Sequence, residues 1–278
     1  MLPELGGRSP YRLVALDLDD TLLDRDLVLS PRVVRVIREI MDAGLKVTLS
    51  TGRMFQSALP YAQRLGITVP IICYQGALIK DPTTRQVLFH QPVPLKRARQ
   101  VIQIVRRWGL HINVYVDDEL YVESVTPEAQ RYVNIARVPL HPVGDLLAFL
   151  TEPPTKLVIV SDEASIDRAM GELRAIFGET IYITKSLPMF CEIAHAGCNK
   201  GNALAALASR LGVTQEETVA IGDGLNDLEM VQWAGLGIAM GNAPPELKGA
   251  ADIITGNIKE DGAAQALEDI FLVTRASK

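Results

Sequence analysis

The sequence predicts an α/β fold in which a parallel sheet forms a core domain and a second, α+β domain is inserted into it. Three observations support this class. A short apolar strand, Leu13–Leu16, leads directly into the acidic segment Asp17–Asp20. Strand and helix patterns alternate at both ends of the chain, whereas the middle contains a hairpin pattern. Alternation is typical of parallel sheets, and hairpins are typical of antiparallel ones.

A first strand–helix–strand unit is predicted near the start. The run Leu13–Leu16 suits a strand that is buried on both faces of a parallel sheet. Ser30 and Pro31 then provide an N-cap and a first helical residue, and Gly44 ends the helical spacing of apolar residues that follows. A second strand runs from Leu45 to Leu49. These elements form a βαβ unit, for which we expect a right-handed crossover.

The C-terminal third repeats the same order of elements. Its apolar residues recur at helical spacing before and after three short strand-like runs. The predicted elements are a helix from Lys200 to Leu211, strands from Thr218 to Ile221, Gly237 to Met240 and Ile253 to Ile254, and a helix from Asp261 to Phe271.

The middle of the chain has a different pattern. Ile112–Val116 and Leu120–Val122 are predicted to pair as a hairpin, and helical patterns occur at Arg97–Trp108 and Ile166–Phe177. We therefore expect an α+β domain over residues 84–190, inserted into an α/β core formed by residues 1–83 and 191–278.

Composition limits the classes of protein to consider. The 278 residues are 48% hydrophobic and 22% charged, with a net charge of −5. Such usage is typical of globular proteins and argues against nucleic-acid binding or attachment to an anionic membrane. The first residues lack the apolar region of a secretory signal, and no run is long enough to span a membrane. The 3 cysteines form no C-x-x-C pair, so we expect a cytoplasmic protein.

Polar clusters follow three predicted strands, at the edge where open parallel sheets bind ligands. In the first cluster, Asp17 and Asp19 are two carboxylates one residue apart. Such a pair can hold Mg²⁺ or divide the roles of nucleophile and acid/base. The alternative is a solvated strand end without chemistry.

The second cluster is Thr51-Gly52-Arg53, which offers a hydroxyl, an unhindered backbone N–H and a guanidinium at a helix N-terminus. This combination suits a phosphate, and an ordinary helix cap is the alternative. Lys200 begins a helix, where the helix dipole disfavours a cation. A nearby negative charge, such as a phosphate or Asp17, would explain it, and an exposed surface lysine is the alternative.

The third cluster, Gly222–Asp227, nearly matches the dinucleotide-binding pattern G-x-G-x-x-G. Asp227 occupies the position of the third glycine, and its carboxylate would repel a pyrophosphate. The carboxylates of Asp223 and Asp227 instead favour a metal site, since hard cations take oxygen ligands.

These motifs stand in the order of the four motifs of the haloacid dehalogenase superfamily, which the chain resembles. They read DLDDTLL, STGR, the pair Lys200-Gly201, and GDGLND. The insertion, with its hairpin NVYVDDELYVE and the return MFCEIAHAGCNKGNAL, is similar to the cap of subfamily IIB, the Cof-type phosphatases. The resemblance implies a Rossmann-like core with an α+β cap that sets substrate specificity. It also implies hydrolysis of a small phosphorylated metabolite, such as a sugar phosphate or a phosphorylated cofactor.

The resemblance further implies roles for individual residues. Asp17 would be the nucleophile that forms an aspartyl-phosphate, and Asp19 the acid and base. Phosphate would be bound by Thr51 (with Ser50 as the alternative), Gly52, Arg53, Lys200 and Asn226. Mg²⁺ would be held by the Asp17 carboxylate, the Asp19 carbonyl and Asp223, with Asp227 in support.

Two positions depart from the family pattern, which commonly has Gly where Asp20 stands and Asn where Gln75 stands. Neither is among the catalytic groups that the resemblance implies. Two other functions also stay open. A phosphomutase would pass the phosphoryl group from Asp17 to an acceptor other than water, and a binding module would retain a phosphometabolite without turnover. The sequence leaves the substrate and the oligomeric state open.

Overall fold

The computed structural model describes residues 9–272. Its strands are β1 (Leu13–Leu16), β2 (Lys46–Leu49), β3 (Ile71–Cys73), β4 (Leu78–Lys80), β5 (Val87–His90), β6 (His111–Val116), β7 (Glu119–Val122), β8 (His141–Pro142), β9 (Lys156–Val160), β10 (Ile181–Leu187), β11 (Phe190–His195), β12 (Thr218–Gly222), β13 (Leu236–Ala239) and β14 (Ile253–Ile254).

The helices are α1 (Pro31–Asp42), α2 (Phe55–Leu65), α3 (Leu95–Trp108), α4 (Pro127–Ala136), α5 (Leu146–Phe149), α6 (Glu163–Phe177), α7 (Lys200–Arg210), α8 (Leu228–Trp233), α9 (Pro245–Ala250) and α10 (Gly262–Phe271). Within residues 9–272, none of them is both long enough and apolar enough to cross a bilayer.

The chain divides into two compact units. Within the described residues, the first comprises residues 9–52, 58–88 and 199–272, and the second comprises residues 53–57 and 89–198. Apart from residues 53–57, the chain changes unit at 88/89 and 198/199, and the sequence placed the boundaries a few residues earlier, near residues 83 and 190. The second boundary lies beyond β11 because this strand pairs with β9 and β10 of the second unit.

The first unit contains a parallel sheet with the strand order β14-β13-β12-β1-β2, which confirms the predicted α/β class. All four residues of β1 are fully buried, as its uninterrupted apolar sequence predicts. Ser30 caps α1 by accepting a hydrogen bond from Val33 N at 3.1 Å. A small sheet, β3-β4-β5, begins beside this layer, where Ser50 forms a parallel bridge with Ile72.

The second unit is built on a six-stranded sheet with the order β10-β11-β9-β6-β7-β8. Strands β6 and β7 are antiparallel, which confirms the predicted hairpin, and Asp117 and Asp118 form its turn with positive φ angles. One face of this sheet packs with α3 and α6 in an apolar core. The other face carries a buried ion pair, with Lys156 Nζ 3.1 Å from Glu192 Oε2.

Candidate active site

The order of the strands in the first unit brings the predicted clusters to one edge of its sheet. Strand β1 lies between β12 and β2, so the segments that follow these three strands are neighbours. The backbone continues the ladder just beyond the strands, because Asp17 N donates to Ile221 O at 3.0 Å and Ser50 N donates to Leu16 O at 2.8 Å. The carboxyl ends of parallel strands therefore place Asp17, Thr51 and the Gly222–Asp227 loop side by side.

Lys200 lies at the centre of this edge. Its side chain is fully buried, and its Nζ lies 2.6 Å from Asp17 Oδ1 and 2.5 Å from Asp227 Oδ1. Burial opposes the charged form, but the two carboxylates outweigh burial and raise the pKa of Lys200 above its ordinary value. The prediction of a negative charge beside the start of α7 is confirmed, and the alternative of an exposed surface lysine is wrong.

The carboxyl groups of Asp17 and Asp223 are held in surroundings that disfavour their charge. Burial is the main cause that raises the pKa of Asp17 well above its usual range; Asp227 adds to the shift, and Lys200 opposes it. Burial also raises the pKa of Asp223 to about 7, with a further contribution from Asp227. Asp19, which is half-buried, lies close enough to raise the pKa of Asp17 as well.

The donor set fits a hard divalent cation. One carboxylate oxygen from each of Asp17, Asp223 and Asp227 lies within 4.8 Å of the others. Lys200 supplies one positive charge against these three carboxylates, which leaves an excess of negative charge. Mg²⁺ prefers oxygen ligands and would neutralise that excess.

Asp227 differs from the other two carboxylates because it is fully buried and one of its oxygens accepts hydrogen bonds from two backbone N–H groups. Oδ1 accepts from Lys200, and Oδ2 accepts from the backbone N–H groups of Asp223 and Gly224, each at 2.9 Å. These bonds fix the loop that presents Asp223. The arrangement suits Asp227 for the supporting role given to it above, with Asp17 and Asp223 better placed to bind a cation directly.

Two residues that the sequence argument missed orient Asp223. Thr21 Oγ1 donates to Asp223 Oδ1 at 3.3 Å, and Asn242 Nδ2 lies 3.1 Å from Asp223 Oδ2 and 3.0 Å from the Asp20 carbonyl. Asn242 follows β13, so the rule that ligands lie beyond strand ends would have identified it. Asp20 itself is exposed and has φ 55, a left-handed conformation that Asp tolerates better than most residues.

Gln75 forms hydrogen bonds with a residue of the second cluster and with a residue of the third. Thr51 is fully buried and its carbonyl accepts a hydrogen bond from Gln75 N at 3.1 Å, while Asn226 Nδ2 donates to Gln75 Oε1 at 3.0 Å. The hydroxyl of Ser50, the alternative to Thr51, is buried and has no hydrogen-bond partner within the described part of the chain. Both hydroxyls therefore stay candidates for binding an anion.

A carboxylate caps the N-terminus of α2. The N–H groups of Phe55 and Gln56 donate to the two carboxylate oxygens of Asp118, at 2.9 and 2.8 Å, and all three residues belong to the second unit. These two N–H groups are therefore satisfied by a carboxylate, whereas the phosphate-binding groups predicted near this helix are those of Thr51, Gly52 and Arg53. Arg53 also belongs to the second unit, where its guanidinium donates to Ser57 Oγ at 3.3 Å.

Comparison with known proteins gives a consistent result. The family model of the haloacid dehalogenase-like hydrolases matches residues 14–267 of the sequence. The chain is 32% identical to a 5-amino-6-(5-phospho-D-ribitylamino)uracil phosphatase of Bacillus subtilis, covering 95% of this chain and 98% of the relative. It is 31% identical to the pyridoxal phosphate phosphatase of Escherichia coli, covering 91% and 96%. Among solved structures, a haloacid dehalogenase-like hydrolase from Bacteroides thetaiotaomicron superimposes with a TM-score of 0.88 at 32% identity, covering 94% of this chain and 100% of that one.

Proposed function

Because the chain belongs to the haloacid dehalogenase-like hydrolases and is a phosphatase of that family, we propose that it hydrolyses small phosphomonoesters with Mg²⁺ and an aspartyl-phosphate on Asp17. The observation that carries the proposal is the buried contact of Lys200 with Asp17 and Asp227. A carboxylate can approach a phosphate dianion only where cations neutralise both groups. Lys200 meets part of that need, and the carboxylates of Asp17 and Asp223 are the residues that would hold Mg²⁺.

The reaction then has two steps. A carboxylate oxygen of Asp17 attacks phosphorus, the bond from phosphorus to the ester oxygen breaks, and the carboxyl of Asp19 gives its proton to the departing oxygen. Water next attacks the phosphorus of the aspartyl-phosphate, Asp19 takes up the proton, and inorganic phosphate leaves with the carboxylate of Asp17 restored. Bound Mg²⁺ supplies electrostatic stabilisation of the negative charge on the phosphoryl oxygens.

The remaining residues of the motifs bind and orient the phosphoryl group. Lys200 holds one oxygen of Asp17 in place, which leaves the other oxygen of that carboxylate as the nucleophile. Thr51 and Asn226 offer a hydroxyl and an amide N–H, and Gly52 offers a backbone N–H. The phosphate-binding role of Arg53 remains a proposal from its residue type and position. The substrate-selecting cap is proposed from the family resemblance, and the cytoplasmic location from the cysteine usage.

The substrate class is proposed from two relatives, which are named for 5-amino-6-(5-phospho-D-ribitylamino)uracil and for pyridoxal phosphate. A phosphate-release screen over phosphorylated cofactors and sugar phosphates, with and without Mg²⁺, tests the function. We expect release of inorganic phosphate that is lost with EDTA and with Asp17→Asn. Full activity of either the EDTA-treated enzyme or Asp17→Asn would contradict the mechanism. An isomerised sugar phosphate without free phosphate would identify a phosphomutase instead.

A further inference from the structure

The side chain of Gln75 fills the space between the second and third clusters. Its Oε1 accepts a hydrogen bond from Asn226 Nδ2 at 3.0 Å, and the side chain is only 7% exposed. Its amide also lies directly over Gly52. A Cβ built on Gly52 would lie 2.4 Å from Gln75 Nε2 and 2.9 Å from its Cδ, so any side chain at position 52 would displace this amide.

The backbone at this position is strained. Tyr74 and Gln75 have φ angles of 53 and 57, and Gly76 follows with φ 97, so three successive residues adopt left-handed conformations. Holding a non-glycine residue in this conformation costs free energy, and such strain is concentrated at functional sites. The turn is also tightly enclosed, because a Cβ on Gly76 would lie 2.3 Å from the Asn199 carbonyl, next to Lys200.

The hydrogen bond gives Asn226 a defined orientation. Gln75 Oε1 is an acceptor, so it favours the rotamer that turns the Asn226 N–H groups toward it and disfavours the flipped amide, whose carbonyl would face another oxygen. One N–H of Asn226 is used in this bond, and the second N–H remains for another acceptor. Gln is one methylene longer than Asn, and this length allows the side chain to reach from the strained turn to Asn226.

We infer that Gln75 is a positioning residue for phosphoryl transfer, which acts by fixing the amide of Asn226. The inference rests on the proposed function, since it needs Asn226 to serve the phosphoryl group. It gives a role to one of the two residues at which this chain departs from the family pattern.

Two variants test the inference. Gln75→Met keeps the length of the side chain but removes the acceptor. Gln75→Asn suits the left-handed backbone and so preserves the fold, but it is too short to reach Asn226. Gln63→Met, at an exposed position on α2, is the matched control.

The first readout is binding of vanadate and of orthophosphate to the Mg²⁺-loaded protein by calorimetry, with vanadate as a mimic of five-coordinate phosphorus. The second is kcat and KM for 4-nitrophenyl phosphate.

We expect both Gln75 variants to weaken vanadate binding by about tenfold, a fraction of the 10²–10³ that a direct oxyanion donor contributes. Orthophosphate binding should change less, and kcat should fall by more than KM rises. Gln63→Met should match the wild-type protein. Because Gln75 acts through Asn226, Gln75→Met should have little further effect in an Asn226→Ala background.

Each other outcome overturns the inference. Wild-type vanadate affinity in both Gln75 variants would show that the bridge has no role, and the proposed function would still stand. If Gln75→Met lowered vanadate affinity as much in the Asn226→Ala background as in the wild-type protein, its role would be merely structural. If the wild-type protein binds neither anion and hydrolyses no phosphomonoester, the proposed function fails and the inference fails with it.

Discussion

Lys200 Nζ lies 2.6 Å from Asp17 Oδ1, although 183 positions separate the two residues in the chain. The contact joins the start of α7 to the end of β1. Because Lys200 also contacts Asp227, a single buried cation holds two carboxylates from different segments together. The same side chain is therefore expected to matter for both stability and activity.

Replacing Lys200 by Met should abolish phosphatase activity and destabilise the protein. Removing one partner of a buried ion pair leaves an uncompensated charge and costs about 3–5 kcal/mol. Urea unfolding of the metal-free protein measures the loss, and Lys259→Met, at an exposed position, is the control. A Lys200→Met protein as stable as the control would show that this pairing contributes nothing to folding.

The stability of the metal-free enzyme should depend on pH through Asp223. Its pKa is raised to about 7 in the folded protein, against about 3.9 in an unfolded chain. The folded state therefore binds more protons between these values, so stability in EDTA should fall as the pH rises from about 4 to about 7. Asp17 shifts in the same direction.

Magnesium should reverse this trend, because it takes the place of the protons. The rise in Tm on adding Mg²⁺ should accordingly be larger at pH 8 than at pH 5, and should be largely lost in Asp223→Asn. Thermal melts with EDTA or Mg²⁺ across this range provide the comparison. An equal Mg²⁺ effect at both pH values would argue against Asp223 as a ligand.

Removing the Asn242 side chain should weaken Mg²⁺ binding while leaving most of the rate at saturating Mg²⁺. Asn242 fixes one oxygen of Asp223. Loss of a partner that orients a metal ligand usually lowers the affinity for the metal by about 10–100-fold. The half-saturating Mg²⁺ concentration of Asn242→Ala should therefore rise by about that factor. Activity titrated with Mg²⁺ measures it, with the exposed Asn134→Ala as control. An unchanged half-saturation point would exclude this role.

The turn between β6 and β7 allows a matched test of the cap on α2. Asp117 and Asp118 both have positive φ, so Gly fits either position, but only Asp118 is seen to accept from Phe55 N and Gln56 N. Asp118→Gly should lower the free energy of unfolding by about 1–2 kcal/mol more than Asp117→Gly does. Chemical denaturation compares the two variants. Equal losses would mean that the carboxylate contributes no stability at this helix end.

Much of the site follows from one sequence rule, that ligands lie beyond the ends of parallel strands. The rule identified Asp17, Thr51 and Asp223 because each follows a short apolar run. Asn242 is harder to identify by this rule, because Met240 and Gly241 separate its amide from the end of β13.

Other features could not be read from local pattern. The position of Gln75 depends on a left-handed turn that its own residue type does not favour, so only the packing around Gly52 reveals it. The assignment of β11 to the second unit depends on pairing with β9, which starts some thirty positions earlier in the chain; an apolar strand sequence is compatible with either sheet. Similarly, Asp118 caps a helix that begins 63 positions away.

The central position of β1 has a consequence for biosynthesis. On one side β1 pairs with β2, which is synthesised soon after it. On the other side β1 pairs with β12, and Leu13 lies opposite Thr218. On the ribosome, one edge of this wholly apolar strand therefore stays unpaired until most of the polypeptide has emerged. Unpaired apolar edges promote association between chains. Nascent chains that stall before Thr218–Gly222 are consequently expected to be substrates for chaperones, and their release should give aggregates rather than folded fragments.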